Sequence, residues 1–581
     1  MGRGWGWVAA WVSVLPALGS EPKLTMRFPN ALADPTPMQV EAPPSAEART
    51  DYLEWRAHSV VYRLPVPRTP NAPTRREWLC YTLVLQRGWR FQPSFSWREA
   101  GTPKPFESAY LPQHLGVVIV GNLSGGYEFL KQVAYTPAPH LSRSRLELNP
   151  ENFPFTPLYL RPQELPDHPA ALFGIPFIVL AEGAEQLSVA QQRALLLWMH
   201  AGGQLILPLG TASTLLKRTA LARYLPAYES PTLQRLKEPI IVQGKRFPPP
   251  SHDVPVAFLY LTRGEPIAKV GNRMLAARIP YGFGQLIVFG GDLTHPAWRS
   301  WQVHPMLWQA FLQQVRLPLL ELSDVQRFPD QVPPAEPAQR YVQVALPAVV
   351  LGVYLCALYA LWRILRLHRK LVYAPIGVAA LSGVGIVALF LVMPPKQAHT
   401  SLAGKRVILC VGNRAIEYGI WRYHSPAGEW RLEWQPVDAL AVEPILALNP
   451  TVGEFTNRGV RLSSGNITPT TLNIHALTQK PAPLRVRKSL RGYELVNTSD
   501  DLTFGQIYIG RPKLPSRSPL ARNAQTPEHL WAWRPLTTTP LPPARSILLP
   551  HAPTDGYAVQ AFAHRQNAAL SEEVEVWLFL P

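Results

Sequence analysis

Residues 172 to 210 read LFGIPFIVLAEGAEQLSVAQQRALLLWMHAGGQLILPLG. Within that stretch IPFIVL is an apolar run with no polar face, as in a strand buried on both sides of a sheet. Ser188-Val189-Ala190-Gln191 follows as a capping box, in which serine and glutamine side chains satisfy the amides that open a helix. Gly202-Gly203 supplies the stop, and QLILPLG resumes as a strand at once. Strand, capped helix, glycine stop and strand predict a right-handed crossover between parallel strands, hence an α/β region.

Two neighbouring stretches extend the pattern. GVVIVGNLSGG, residues 116 to 126, is another buried strand ending in a glycine-rich turn, and IPYGFGQLIVFGGDLTHPAW, residues 279 to 298, predicts a hairpin whose second strand ends at Gly290-Gly291-Asp292. The run from Leu172 to Gly210, followed by YGFGQLIVFGGD, resembles the class I glutamine amidotransferase-like domains of bacterial membrane-anchored envelope proteins of unknown function, over about residues 109 to 320. Active amidotransferases carry a cysteine in a tight strand-to-helix elbow and a later histidine to deprotonate it. Here the comparable turn is Pro208-Leu209-Gly210, and no cysteine occurs between Cys80 and Cys356. The resemblance therefore implies the fold and argues against the chemistry.

On the N-terminal side, Trp89, Phe91, Phe95 and Trp97 alternate in WRFQPSFSW, and LCYTLVLQ precedes them across Arg87-Gly88, which predicts a hairpin in a small β-sandwich. Core packing is the favoured use of that aromatic stripe over carbohydrate binding. On the C-terminal side, GIWRYH and EWRLEW flank Ser425-Pro426-Ala427-Gly428 and predict a second hairpin, with further strands to EEVEVWLFLP. Prolines crowd residues 512 to 545, which are read as connections or edge strands.

The chain has 581 residues, too many for one core, and 63 prolines spread along it disfavour long helices. Two stretches break that trend. VQVALPAVVLGVYLCALYALW, from Val342 to Trp362, and Leu371 to Met393 are apolar for the length that crosses a bilayer. Arg363, Arg366, Arg369 and Lys370, with His368, lie between them and place that loop in the cytoplasm by the positive-inside rule. Arg3, the apolar stretch to Leu15 and Ala17-Leu18-Gly19 have signal-peptide grammar.

The expected fold class is accordingly multidomain α/β plus all-β. A signal peptide spans 1–19, a β-sandwich 20–108, the amidotransferase-like parallel-sheet domain 109–325 and a linker 326–340. Transmembrane helices at 341–363 and 371–394 form a hairpin around a cytoplasmic loop, 364–370, and a β-rich extracytoplasmic domain fills 395–581. Expected partners are membrane lipid, through the two helices, and other envelope or membrane proteins, at an inner membrane with the large domains outside.

A net charge of +18 and a pI near 9.9 raise the question of nucleic acid, but the basic residues are scattered singly and form no arm, so no nucleic-acid partner is expected. Cys80, Cys356 and Cys410 are too few and too dispersed for a disulfide framework, and no short His/Cys spacing suggests a metal. GNLSGGYEF has the glycines of a phosphate cradle without its lysine, and no cofactor is expected.

The candidate catalytic residues are Asp292, His295 and His304, just past a strand end where open sheets gather ligands, with Ser213 or Ser300 as nucleophile. Each has a plainer use, the histidines standing before prolines and Asp292 able to cap a turn, and Glu182 after IPFIVLA is similar. The sequons at Asn122, Asn466 and Asn497 matter only in a eukaryotic secretory pathway. The favoured function is noncatalytic binding or scaffolding; the rivals are an envelope hydrolase and an accessory subunit of a transport system.

Overall fold

The computed structural model describes most of residues 21–312 and 401–579, with 356–364 and 366 between them. Residues 27–34, 107–114, 134–154, 211–218, 513–530, 551–557 and some shorter gaps lie outside the described residues.

The apolar runs of the central region line up side by side. Strands Phe155–Leu160, Leu115–Val120, Phe177–Leu180, Gln204–Pro208 and Gly284–Phe289 are parallel neighbours in that order. Arg273–Tyr281 then pairs antiparallel with Gly284–Phe289 in the expected hairpin, Tyr281 opposite Gly284, and Glu265–Val270, Ile240–Val242 and Lys245–Phe247 continue antiparallel to the far edge. Both faces are buried. Val117, Ile119, Phe177, Ile206 and Phe289 meet Trp298, Trp308 and Phe311 on one side, while Val118, Ile178, Leu205 and Val288 meet helix residues Leu195, Trp198 and Met199 on the other.

That helix, Val189–His200, opens with the capping box read from the sequence. Ser188 Oγ accepts from Gln191 N at 3.2 Å, and Gln191 Oε1 accepts from Ser188 N at 2.8 Å. Gly202 ends it at φ +122, in the left-handed region that glycine tolerates. Its run ALLLWM is apolar all round because the helix is covered on both sides. Leu197 and Ala201 turn away from the central sheet and, with Ala170 and Phe173, pack on a second sheet.

The second sheet has eight described strands, in the order Ala439–Leu446, Thr470–Pro481, Arg414–Ser425, Ser401–Val411, Leu570–Phe579, Ala558–Gln566, Phe504–Pro512 and Trp531–Thr537. A third sheet faces part of it and is built from both ends of the chain. Gly428–Trp434, Gly459–Asn466 and Thr451–Thr456 continue directly into Val60–Arg68, Arg49–Ala57, Ser94–Glu99 and Thr102–Pro105. Thr451–Glu454 pairs parallel with Val60–Arg63, so residues expected in two separate regions share one sheet and one core, including Trp55, Tyr62, Trp97, Trp421 and Leu462.

A charge ladder crosses the outer face at that junction. Glu433, Arg461, Glu454, Arg63 and Glu54 stand opposite one another on successive strands. Their ion pairs run 3.6, 3.8, 3.6 and 2.7 Å, and Arg98 Nη2 adds a bond to Glu54 Oε2 at 2.9 Å. Burial opposes the charge on Glu54, but the hydrogen bonds from Arg98 and Arg63 outweigh it and hold the carboxyl below its usual range. Single exposed pairs contribute about 0–1 kcal/mol; this row acts chiefly by fixing register.

Three expectations are corrected here. The fold class is mostly β rather than α/β with a transmembrane hairpin, since most described residues are strand and the described helices beside Val189–His200 are short, Pro296–Arg299 and His304–Phe311 among them. The amidotransferase-like parallel-sheet α/β domain is thus replaced by a large mixed sheet. Pro226, Pro231, Pro239, Pro248, Pro249, Pro250 and Pro255 deny the intervening chain the amides and space that crossover helices need.

The transmembrane expectation and what hung on it are overturned next. Among the described residues no helix is long and apolar enough to cross a membrane. Residues 356–364 are helical; the rest of spans 341–363 and 371–394, with Arg369 and Lys370, lies outside the described residues. The expected binding of membrane lipid through two helices and the inner-membrane placement fall with it. The signal peptide also lies outside the described residues.

Finally, Arg414–Ser425 and Gly428–Trp434 are not a hairpin. The first pairs in the eight-stranded sheet and the second in the sheet facing it, so the chain arches across the sandwich, and the Tyr423 and Trp430 rings meet at 5.2 Å inside.

Because the sheet needs strands from both ends, residues 401–581 expressed alone are expected to give no cooperative thermal unfolding, and adding residues 21–106 as a separate polypeptide should restore it. Circular dichroism on heating measures this; an autonomous cooperative transition in 401–581 would refute the shared sheet as a requirement.

Candidate functional site

The carboxyl ends of the parallel strands are where the sequence places its candidates, and the structure brings several polar groups there. Leu115–Val120 runs into Gly121-Asn122, and Asn122 N donates to Glu182 O at 2.8 Å. Gln204–Pro208 runs into Leu209-Gly210, where Gly210 lies so close to Asp292 that a Cβ would press on the Asp292 Cβ at 2.8 Å. These loops pack on one another and leave the candidates committed to local bonds.

Asp292 Oδ1 accepts from Thr294 N at 2.9 Å and Thr294 Oγ1 at 2.6 Å, a side-chain-closed turn. His295 caps the short helix Pro296–Arg299, its Nδ1 accepting from Ala297 N at 3.3 Å. His304 is buried, its ring 4.4 Å from that of Phe129, and Trp308 Nε1 donates to its Nε2 at 3.3 Å. Ser300 Oγ donates to Ala297 O at 3.4 Å. Ser213 lies outside the described residues, and Glu182 is exposed. Of the loop cations, Arg363 and Arg366 are described, the Arg366 guanidinium 5.2 Å from the Trp362 ring centre.

A second group at the same rim escaped the sequence reading. Tyr159 Oη donates to Glu128 Oε1 at 2.8 Å and accepts from Tyr127 N at 2.8 Å, while Gly126 N donates to Glu128 Oε2 at 2.9 Å. Burial opposes ionisation of Glu128, but these hydrogen bonds, one from its own amide and the charge of Arg299 prevail, and its carboxyl is held below the ordinary value. Burial, then the Glu128 carboxylate, push the Tyr159 phenol up; burial, then the Asp292 charge, do the same to Tyr127.

Glu128 also settles the glycine-rich turn. Its carboxylate takes the Gly126 amide that an incoming phosphate oxygen would need, at the mouth of a five-residue 3₁₀ turn, Glu128–Gln132. The only sequence signal was an acidic residue directly after GNLSGGY, where a phosphate site would carry lysine.

No family model matches the chain. No curated protein matches it either. Among solved structures it is similar to the cytoplasmic protein STM1381 from Salmonella typhimurium LT2, at 16% identity over 34% of this chain and 98% of that one, TM-score 0.24. The cytoplasmic protein STM3548 from Salmonella typhimurium gives 15% identity over 34% and 97%, TM-score 0.25. The exo-beta-1,4-mannosidase Op5Man5 from Opitutaceae bacterium strain TAV5 gives 13% over 34% and 35%, TM-score 0.21. Likeness this slight assigns neither family nor activity.

The thiols offer no nucleophile at the rim. Cys80 and Cys410 are buried, and burial pushes both up, Cys410 to about 12. Among the described residues no three His, Cys, Asp or Glu side chains gather as a metal site.

Two outcomes follow. Asp292→Asn keeps an accepting oxygen for Thr294 and should hold stability within about 0.5 kcal/mol, whereas Asp292→Ala should lose about 1 kcal/mol in urea unfolding. In the native chain at mildly alkaline pH, a disulfide reagent should titrate the exposed Cys356 alone, with Cys80 and Cys410 reacting only after denaturation.

Proposed function

We propose that the chain is a noncatalytic binding or scaffolding protein. The observation that carries this reading is the commitment of Asp292, His295 and His304 to structural bonds: Asp292 to Thr294, His295 to the Ala297 amide, and His304 to Trp308 in a buried aromatic cluster. A working base must reach the nucleophile's proton, and a ring nitrogen holding a helix amide is poorly placed to do so.

The turn Pro208-Leu209-Gly210, where the resembled amidotransferase-like domains would carry their nucleophile, supports the same reading. All three residues are buried, and Gly210 is pressed against Asp292, which leaves no exposed side chain to attack a substrate. The large sheets then serve as a rigid frame whose outward surfaces meet a partner.

A fluorophosphonate probe, which labels activated serines generally, should leave the purified full chain unlabelled. Labelling of one serine that disappears in His295→Gln, with the fold intact by circular dichroism, would replace this reading with a hydrolase.

A further inference from the structure

Three histidines, His168, His200 and His475, lie at the contact between the central unit and the eight-stranded sheet. His475 stands on Thr470–Pro481 opposite Ile420 and Ala441, on the face covered by Pro169–Leu172. Its Nδ1 is 3.1 Å from Tyr418 Oη, and it is almost wholly buried. His168, just before the covering segment, places Nε2 3.4 Å from Asp438 Oδ1 across the same contact, while Asp438 Oδ2 accepts from Gln479 N. His200, at the end of the docked helix, packs against Tyr224, Tyr281 and Phe579.

We propose that the docking of residues 115–312 on the eight-stranded sheet is acid-labile and that His475 is the group that senses the pH. The geometry requires a protonated His475 to hold its charge on the buried face that Pro169–Leu172 covers, beside the Tyr418 hydroxyl. Separation of the two surfaces lets water reach the ring. On the same face Arg422 donates to Asn473, Lys405 pairs with Glu575 at 3.4 Å, and the half-buried His424 stands opposite Thr471, toward the strand end; the arginine and the lysine keep their charge in mild acid. The His168–Asp438 contact is a link across the two surfaces, and removing it weakens the docking.

Burial lowers the pKa of His475 from 6.5 to about 4. The sign follows from linkage: the undocked state binds the proton more readily, so docking is at full strength above pH 6.5 and weakens as pH falls through the interval to about 4. Each pH unit well inside that interval shifts the docking equilibrium about tenfold, and the whole interval about 300-fold.

The test is small-angle scattering and hydrogen exchange on the full chain from about pH 7 to about pH 4.5, with exchange corrected for its intrinsic pH dependence. Expected is a rise in radius of gyration and loss of protection in residues 169–201 while the strands of both sheets stay protected. His475→Gln, which retains a partner for Tyr418, should flatten that response; His168→Gln should move release to higher pH. The proposal is overturned if the wild-type sheets lose protection together with 169–201, if the radius does not change, or if His475→Gln follows the wild-type profile. Should His475→Gln not fold, the wild-type measurement and the direction of the His168→Gln shift still decide it.

Discussion

Four residue pairs, from Val60 with Thr451 to Arg63 with Glu454, hold segments from either side of the central unit in one sheet. They are parallel pairs, which cannot close by a tight turn and need a long connection. The central sheet and its helix, within residues 115–312, are therefore an excursion from a β body built of chain on either side of them. The charge ladder from Glu433 to Glu54 crosses the same junction, and a slip in register would part its opposite charges. Apolar pairing makes the sheet, and the ladder specifies which pairing.

Inside the β body a buried polar seam divides two cores. Arg406 bonds Glu417 and Glu572 at 3.3 and 2.7 Å, Lys480 also pairs with Glu417, and Trp421 Nε1 donates to Glu572 Oε1 at 3.0 Å. The Trp421 indole lies over Gly404 and Gly419, where any Cβ would collide with it. On one side of this seam sits the core shared with the N-terminal strands, and on the other the core around Ile408, Phe504 and Val576. Such a network contributes less to stability than apolar packing of equal volume, but each partner is costly to remove once the other is buried.

What could be read from sequence was local. IPFIVL, the Ser188–Gln191 box and the hairpin at Tyr281 to Gly284 are each decided by neighbours within a few residues, and each is where it was expected. EWRLEW was read with the right alternation and the wrong partner, because alternation looks the same whether a strand pairs with its predecessor or arches over a core to face it. The rim shows the same limit. Asp292, His295 and His304 were placed at a strand end by pattern, but whether a side chain is free or already bonded depends on Thr294, Ala297 and Trp308, whose geometry no spacing reveals. Glu128 and Tyr159 come from strand ends separated by a connection outside the described residues, and nothing in either segment announces the other.

The junction between Val60 and Thr451 spans 391 positions of chain, the difference of the two residue numbers. At ribosomal rates of about 5–20 residues per second, the strand Val60–Arg68 waits roughly 20–80 s after its own synthesis before its partner exists. During that time its outer edge, VVYRLPVPR, is an unpaired strand, and the aromatic surface of Trp55 and Tyr62 has no lid. Biogenesis of this protein is therefore a problem of keeping one edge quiet, and the prolines at 65 and 67 within that strand, poor templates for further pairing, are well placed to do it.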